Sequence, residues 1–141
     1  MKTKLWRLFP LLLLVLVGLV VWQGHSPQGD GRLHVMKCPD VHKGCRMDLS
    51  GASVAVSMVG ELKPLQAFLV RVEAPHADKV EARFTMEGMD MGFNLYTLRA
   101  DKDGVFESSI TLPVCVTGRR DWIMELSLDG ERLAVPFVTD L

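Results

Sequence analysis

The residues after Ser50 form a regular succession of short segments in which apolar and polar side chains alternate. In the clearest segment, every second residue is apolar and its neighbours are polar or charged, with Val80, Ala82, Phe84 and Met86 on one side. A period of two is typical of a half-buried strand. Seven such segments without a helical period predict an all-β fold, an immunoglobulin-like antiparallel β-sandwich of about seven strands. The predicted strands cover residues 52–59, 66–74, 79–87, 94–100, 105–112, 122–128 and 133–138.

The N-terminus has a different character. Lys2, Lys4 and Arg7 precede an apolar run from Leu8 to Trp22. Positive residues before such a run keep that end in the cytoplasm and send the following chain outward. No pattern of small residues for cleavage follows the run. We therefore expect residues 1–23 to form one N-terminal transmembrane helix that anchors the protein, with cleavage as a signal segment as the alternative.

Residues 24–49 are predicted to be a linker and a segment rich in Cys and His, and residues 50–141 the β-sandwich domain. The segment contains Cys38 and Cys45, and Cys115 lies near the end of a later predicted strand. On the oxidising side of a membrane, a Cys38–Cys45 disulfide is expected. Copper ligation by the cysteines, or a bond from one of them to Cys115, is the alternative. Cys115 is otherwise expected to be a buried thiol.

Three methionines lie within six residues, between and around two glycines, in Met86-Glu-Gly-Met89-Asp-Met91-Gly. Thioether sulfur is a soft ligand that suits Cu(I). Met86 continues the buried face of a strand, whereas Met89 and Met91 follow the end of the alternation, where core packing explains a methionine less well. We therefore predict a copper site at Met89 and Met91, with Met86 as an inner member. An N-terminal histidine, His34 or His42, is expected to fold over it as a further ligand.

Charge and motifs exclude several functions. The formal net charge is -1, with 16 basic and 17 acidic residues. Such a balance provides no basic face for nucleic acid. The chain contains no nucleophile elbow, phosphate loop, zinc-protease motif or dinucleotide fingerprint. We therefore expect a protein that is not an enzyme.

The chain resembles the FixH/YtkA-like family over about residues 49–138, most specifically in the Met-x-x-Met-x-Met-Gly run. The resemblance implies a membrane-anchored, immunoglobulin-like domain in the periplasm, attached to the bacterial inner membrane by a single pass and associated with copper delivery to respiratory oxidases. Secretion to the periplasm is the alternative location. Relatives often carry a histidine within the motif, and its absence here leaves Met-only or Met-plus-Cys ligation. The expected partners are the inner membrane and oxidase or copper-delivery proteins. The alternative function is a β-sandwich scaffold without metal in a membrane complex.

Overall fold

The computed structural model describes residues 32–140 except 90, 91, 93 and 102. The described residues form ten strands and no helix. In chain order the strands are β1 (Leu33–Val35), β2 (Cys45–Leu49), β3 (Ala52–Val59), β4 (Ala67–Glu73), β5 (Val80–Thr85), β6 (Leu95–Thr97), β7 (Arg99–Ala100), β8 (Val105–Thr111), β9 (Asp121–Leu128) and β10 (Glu131–Val138).

The strands are arranged in two sheets of five. The first sheet has the order β1-β10-β9-β5-β6, and the second has the order β2-β3-β4-β8-β7. Neighbouring strands are antiparallel except for β1 and β10, which are parallel. Four times the chain crosses between the sheets, after β1, β4, β6 and β8. The predicted all-β, sandwich-like fold is therefore confirmed for the described residues.

The alternating side chains of both sheets meet in one core. Phe84 on β5 is fully buried, and its ring packs edge-on against three other rings. Phe137 and Tyr96 belong to the same sheet as Phe84, at centroid distances of 6.2 and 5.9 Å. Phe68 belongs to the second sheet, at 6.4 Å. Edge-to-face packing at this separation is favourable for aromatic rings, so Phe84 joins the two sheets.

The number and limits of the strands correct the prediction in two places. The structure has ten strands instead of about seven, because β1 and β2 lie in the segment 24–49 that was predicted to precede the sandwich. They are part of the sheets because β1 pairs with β10 and β2 with β3. The predicted strand 94–100 is two strands, since the chain crosses between the sheets at the buried residue Leu98. The predicted boundary between residues 49 and 50 thus falls where β2 ends and the turn to β3 begins.

The predicted anchor, residues 1–23, lies outside the described residues. Within residues 32–140, apart from the gaps given above, no helix is long and apolar enough to cross a membrane. Two of the hairpin turns contain an Asp-Gly pair. Asp129 and Gly130, with φ of 48° and 94°, join β9 to β10, and Gly104, with φ of 73°, lies between β7 and β8.

Candidate functional site

The candidate site lies at one end of the sandwich, here called the upper end, where β5, β8 and β10 finish and β9 begins. Past the end of β5, the backbone N–H of Met89 donates to the carbonyl of Met86 over 3.0 Å and closes a tight turn. Gly88 in this turn has φ of +73°, a conformation that glycine adopts without steric cost. Residues 86–89 are called the methionine turn below.

The two described methionines of the turn both contact the core. Met86 is only 2% exposed, so the prediction that it continues the buried face of the strand is confirmed. Met89 is half-buried and packs against the same core. Core packing therefore accounts for the Met89 side chain to a greater extent than its position after the end of the alternation predicts. Met91 lies outside the described residues. The turn therefore presents one partly accessible thioether among the described atoms.

Arg119 joins the methionine turn to the loop between β8 and β9. Its Nη1 donates to the carbonyl of Glu87 over 3.0 Å. Its Nε donates to Oδ1 of Asp121 over 3.0 Å, and Nη2 donates to Oδ2 of the same carboxylate. The hydrogen bonds that Arg119 donates to Asp121 raise the pKa of Arg119 and lower the pKa of Asp121. A bidentate arginine–carboxylate pair has a fixed orientation. The guanidinium of Arg119 is therefore held in the position in which it contacts the turn.

Cys115 lies in the same loop and is the free cysteine of the described residues. It is buried, as predicted. Its Sγ lies 3.0 Å from the hydroxyl of Thr117. Hydrogen bonding by the Thr117 side chain, then by the Thr117 backbone and to a lesser degree by Arg119, lowers the pKa of the Cys115 thiol. A thiol with a lowered pKa is closer to the thiolate form that binds soft metals. Cys115 and the methionine turn thus share one end of the fold, where Arg119 contacts the turn through its guanidinium and the Cys115 thiol through its backbone.

The disulfide prediction is confirmed. Cys38 and Cys45 are bonded, with their Cα atoms 5.4 Å apart. Inside this loop, the carboxylate of Asp40 accepts from the backbone N–H of His42 over 3.0 Å. Nδ1 of His42 donates to the carbonyl of Met58 over 3.2 Å, at the side of the second sheet formed by β2 and β3. His42 therefore fixes the disulfide loop against β3, in the sheet opposite to the one that contains β5.

The structure does not bring His34 to the methionine turn either. His34 lies on β1 and Ala82 lies on β5. Both align with the same residue pair on β10 and β9, the two strands between them, so they lie in one row across the sheet. Three strand spacings and four residues along β5 separate it from Met86, which amounts to about 20 Å. The predicted contribution of an N-terminal histidine to the site is therefore not seen among the described residues.

Two features of the upper end carried no signal in the sequence. Arg119 reads as one residue of a polar turn, and only the fold places it beside Glu87. Trp122 reads as a core residue, and only the strand register places it opposite Met86, one position beyond the last pair Thr85–Ile123. In the described part of the chain, no group of three or more His, Cys, Asp or Glu side chains is arranged to hold a metal ion. Thioethers are a different donor set.

Comparison of the chain with family models, with curated proteins and with solved structures finds no match.

Proposed function

We propose that this protein is a copper-binding or copper-transfer domain on the periplasmic side of the bacterial inner membrane, anchored by its N-terminal segment and serving respiratory oxidase assembly. Cu(I) binds through Met89 and Met91, with Met86 as an inner member of the site. The protein acts by binding, without catalysis and without nucleic acid. The location is supported by the Cys38–Cys45 disulfide, because disulfides persist in oxidising compartments such as the periplasm.

The methionine turn is the observation that carries the copper proposal. The turn is fixed from within by the hydrogen bond from Met89 to Met86, and from outside by Arg119 on the carbonyl of Glu87. A soft ligand on a fixed backbone loses little freedom when a metal binds, which favours binding. Cys115 lies at the same end with a lowered thiol pKa, and this supports Met-plus-Cys ligation beside the Met-only set.

The strand order supports the finer description of the fold as an immunoglobulin-like Greek key. In that fold, one sheet has the strand order A-B-E-D and the other contains C, F and G. Here β3-β4-β8-β7 correspond in order to A-B-E-D, and β10-β9-β5 correspond to G-F-C. β6 takes the place next to C that variable-type domains add to this sheet. β2 extends the second sheet beyond the strand that corresponds to A.

The copper proposal is tested by exchanging Met89 and Met91 together for Leu in the full chain. Leu is close to Met in volume, so a packing methionine tolerates the exchange at less than about 1.5 kcal/mol. A ligand does not, because Leu has no lone pair for a soft cation. Titration against a Cu(I)-specific chelator under reducing conditions is expected to show binding by the natural chain and none by the double variant.

Met86→Leu is the matched control. Met86 is buried, and its part in the turn is a backbone carbonyl that Leu also has. This variant is expected to change Cu(I) affinity less than the double exchange. Equal affinity of the natural chain and the double variant, or no affinity in either, would reject the copper site.

A scaffold without metal is the second candidate function. It is favoured by one observation, namely that every methionine among the described residues contacts the core. Four of them are buried and two are partly buried against it: Met36, Met58, Met86 and Met124, then Met47 and Met89. In this case the upper end packs against a protein subunit, and the double Leu variant keeps both its fold and its place in the complex.

A further inference from the structure

Two buried polar groups at the upper end have no hydrogen-bond partner among the described residues. They are the indole Nε1 of Trp122 and the hydroxyl Oγ1 of Thr139. The two residues are only 1% and 2% exposed. Buried polar groups in folded proteins are nearly always hydrogen-bonded, because an unpaired one loses its water without compensation. Two unpaired groups in one small region therefore require a physical explanation.

The strand register places both side chains on the same inward face. Trp122 on β9 pairs with Phe137 on β10, and both are buried. Thr139 lies two residues beyond Phe137, and its backbone N–H donates to the carbonyl of Arg120 over 3.0 Å, which extends the ladder by one pair. Thr139 is thus the diagonal neighbour of Trp122, at a typical Cα separation of about 7–8 Å, within reach of a long aromatic side chain.

The hydrogen-bond donors and acceptors of the two groups match those of a water molecule. An indole N–H only donates, whereas a hydroxyl both donates and accepts. The two groups make no hydrogen bond to each other. A water molecule placed between them would accept from Nε1 of Trp122 and exchange a hydrogen bond with Oγ1 of Thr139. Buried waters have two to four such partners and are part of the folded structure.

We propose that Trp122 and Thr139 hold one ordered water molecule inside the upper end of the sandwich. This site does not depend on whether the methionine turn binds copper. It lies directly below that turn, because Met86 follows the pair Thr85–Ile123 and therefore lies opposite Trp122. The water fixes the indole ring of the residue that lies opposite Met86.

Thr139→Val in the full chain tests the proposal through the sign of its effect on thermal stability. Valine has the shape of threonine but no hydroxyl. If the hydroxyl holds the water, its removal leaves the indole N–H without a proper partner, and the melting temperature falls. If the hydroxyl is simply buried and unpaired, a methyl group in its place relieves the desolvation cost, and the melting temperature stays the same or rises.

Two further variants control this comparison. Thr139→Ser keeps the hydroxyl and is expected to remain closer to the natural chain than Thr139→Val. Thr111→Val makes the same exchange at an exposed position of β8 and reports the effect of the exchange alone. The melting temperature of Thr139→Val is expected to fall below both.

A crystal structure of the natural full chain provides a second, independent readout. We expect density for a water molecule at hydrogen-bond distance, about 2.7–3.2 Å, from both Nε1 of Trp122 and Oγ1 of Thr139. Absence of such density, or an unchanged or raised melting temperature in Thr139→Val, overturns the proposal. If Thr139→Val does not fold, the density in the natural chain and the behaviour of Thr139→Ser decide.

Discussion

Removal of the Phe84 ring tests the face-to-face packing of the two sheets. Phe84 is fully buried and makes edge-on contacts with Phe68, Tyr96 and Phe137. Each such contact contributes about 0.5–1.5 kcal/mol beyond the burial of apolar area. Phe84→Leu keeps most of the apolar volume but loses all three contacts, so we expect it to reduce the free energy of unfolding by about 2–4 kcal/mol. This is a large part of the roughly 5–15 kcal/mol that stabilises a typical domain.

A double-mutant cycle isolates the contact that joins the sheets. Phe68 is on β4 of the second sheet, and its ring centroid lies 6.4 Å from that of Phe84. Residues in contact are coupled, whereas distant residues contribute additively to stability. Phe84→Leu and Phe68→Leu, separately and together, are expected to give a coupling energy of about 0.5–1.5 kcal/mol.

Urea unfolding of residues 24–141, which include all ten strands, measures these free energies. Leu95→Ala on β6 is the control, because this side chain is 52% exposed and exposed substitutions usually change stability by less than about 0.5 kcal/mol. A coupling energy near zero between Phe68 and Phe84, together with a normal cost for each single variant, would contradict the sandwich packing, because it would place the two rings in separate cores.

Three other predictions follow from local features. Gly104→Ala is expected to destabilise the fold in thermal melts, because a Cβ there would lie 2.5 Å from the backbone of the turn between β4 and β5 and because φ is +73°. Thiol counting on unreduced protein is expected to find one free thiol, since Cys38 and Cys45 are bonded; three free thiols would contradict the disulfide. The pKa of Asp121 is lowered by its hydrogen bond from Arg119, so the pair stabilises the fold above the ordinary carboxyl value of about 3.9 and this contribution is lost as the pH falls through the lowered pKa. The acid loss of melting temperature between about pH 5 and 2 is therefore expected to be smaller in Asp121→Asn.

Alternation predicted the strands that bury one face along their whole length. The predicted segment 52–59 is identical to β3, and 105–112 differs from β8 by one residue. β2 alternates as well, with Cys45, Met47 and Leu49 on the inner side. The sequence does not predict β2, because a cysteine and a methionine with this spacing are equally explained by their soft-ligand chemistry. β1 has only three residues, too few for a period to show.

The crossing at Leu98 has no signature in the sequence. Residues 95–100 continue in an extended conformation, and the pattern of side chains does not show which neighbour each half pairs with. Pairing is decided by β5 on one side and β8 on the other, both distant in sequence. Short edge strands of this kind form where a neighbouring strand is available for pairing, so their first and last residues depend on tertiary structure.

In the candidate site, too, some features follow from neighbouring residues and others depend on residues that are distant in sequence. The closed turn at Met86 and Met89 follows from Gly88, three residues after the end of β5, which is visible in the sequence. What fixes that turn is not visible, because the Arg119 that contacts Glu87 is 32 residues away. The described soft ligands of the upper end therefore come from one short stretch of sequence. The methionine turn that carries them is held rigid by the loop between β8 and β9. Because Asp121 orients the guanidinium that contacts the turn, a change in that loop is expected to alter the geometry of the methionines without touching them.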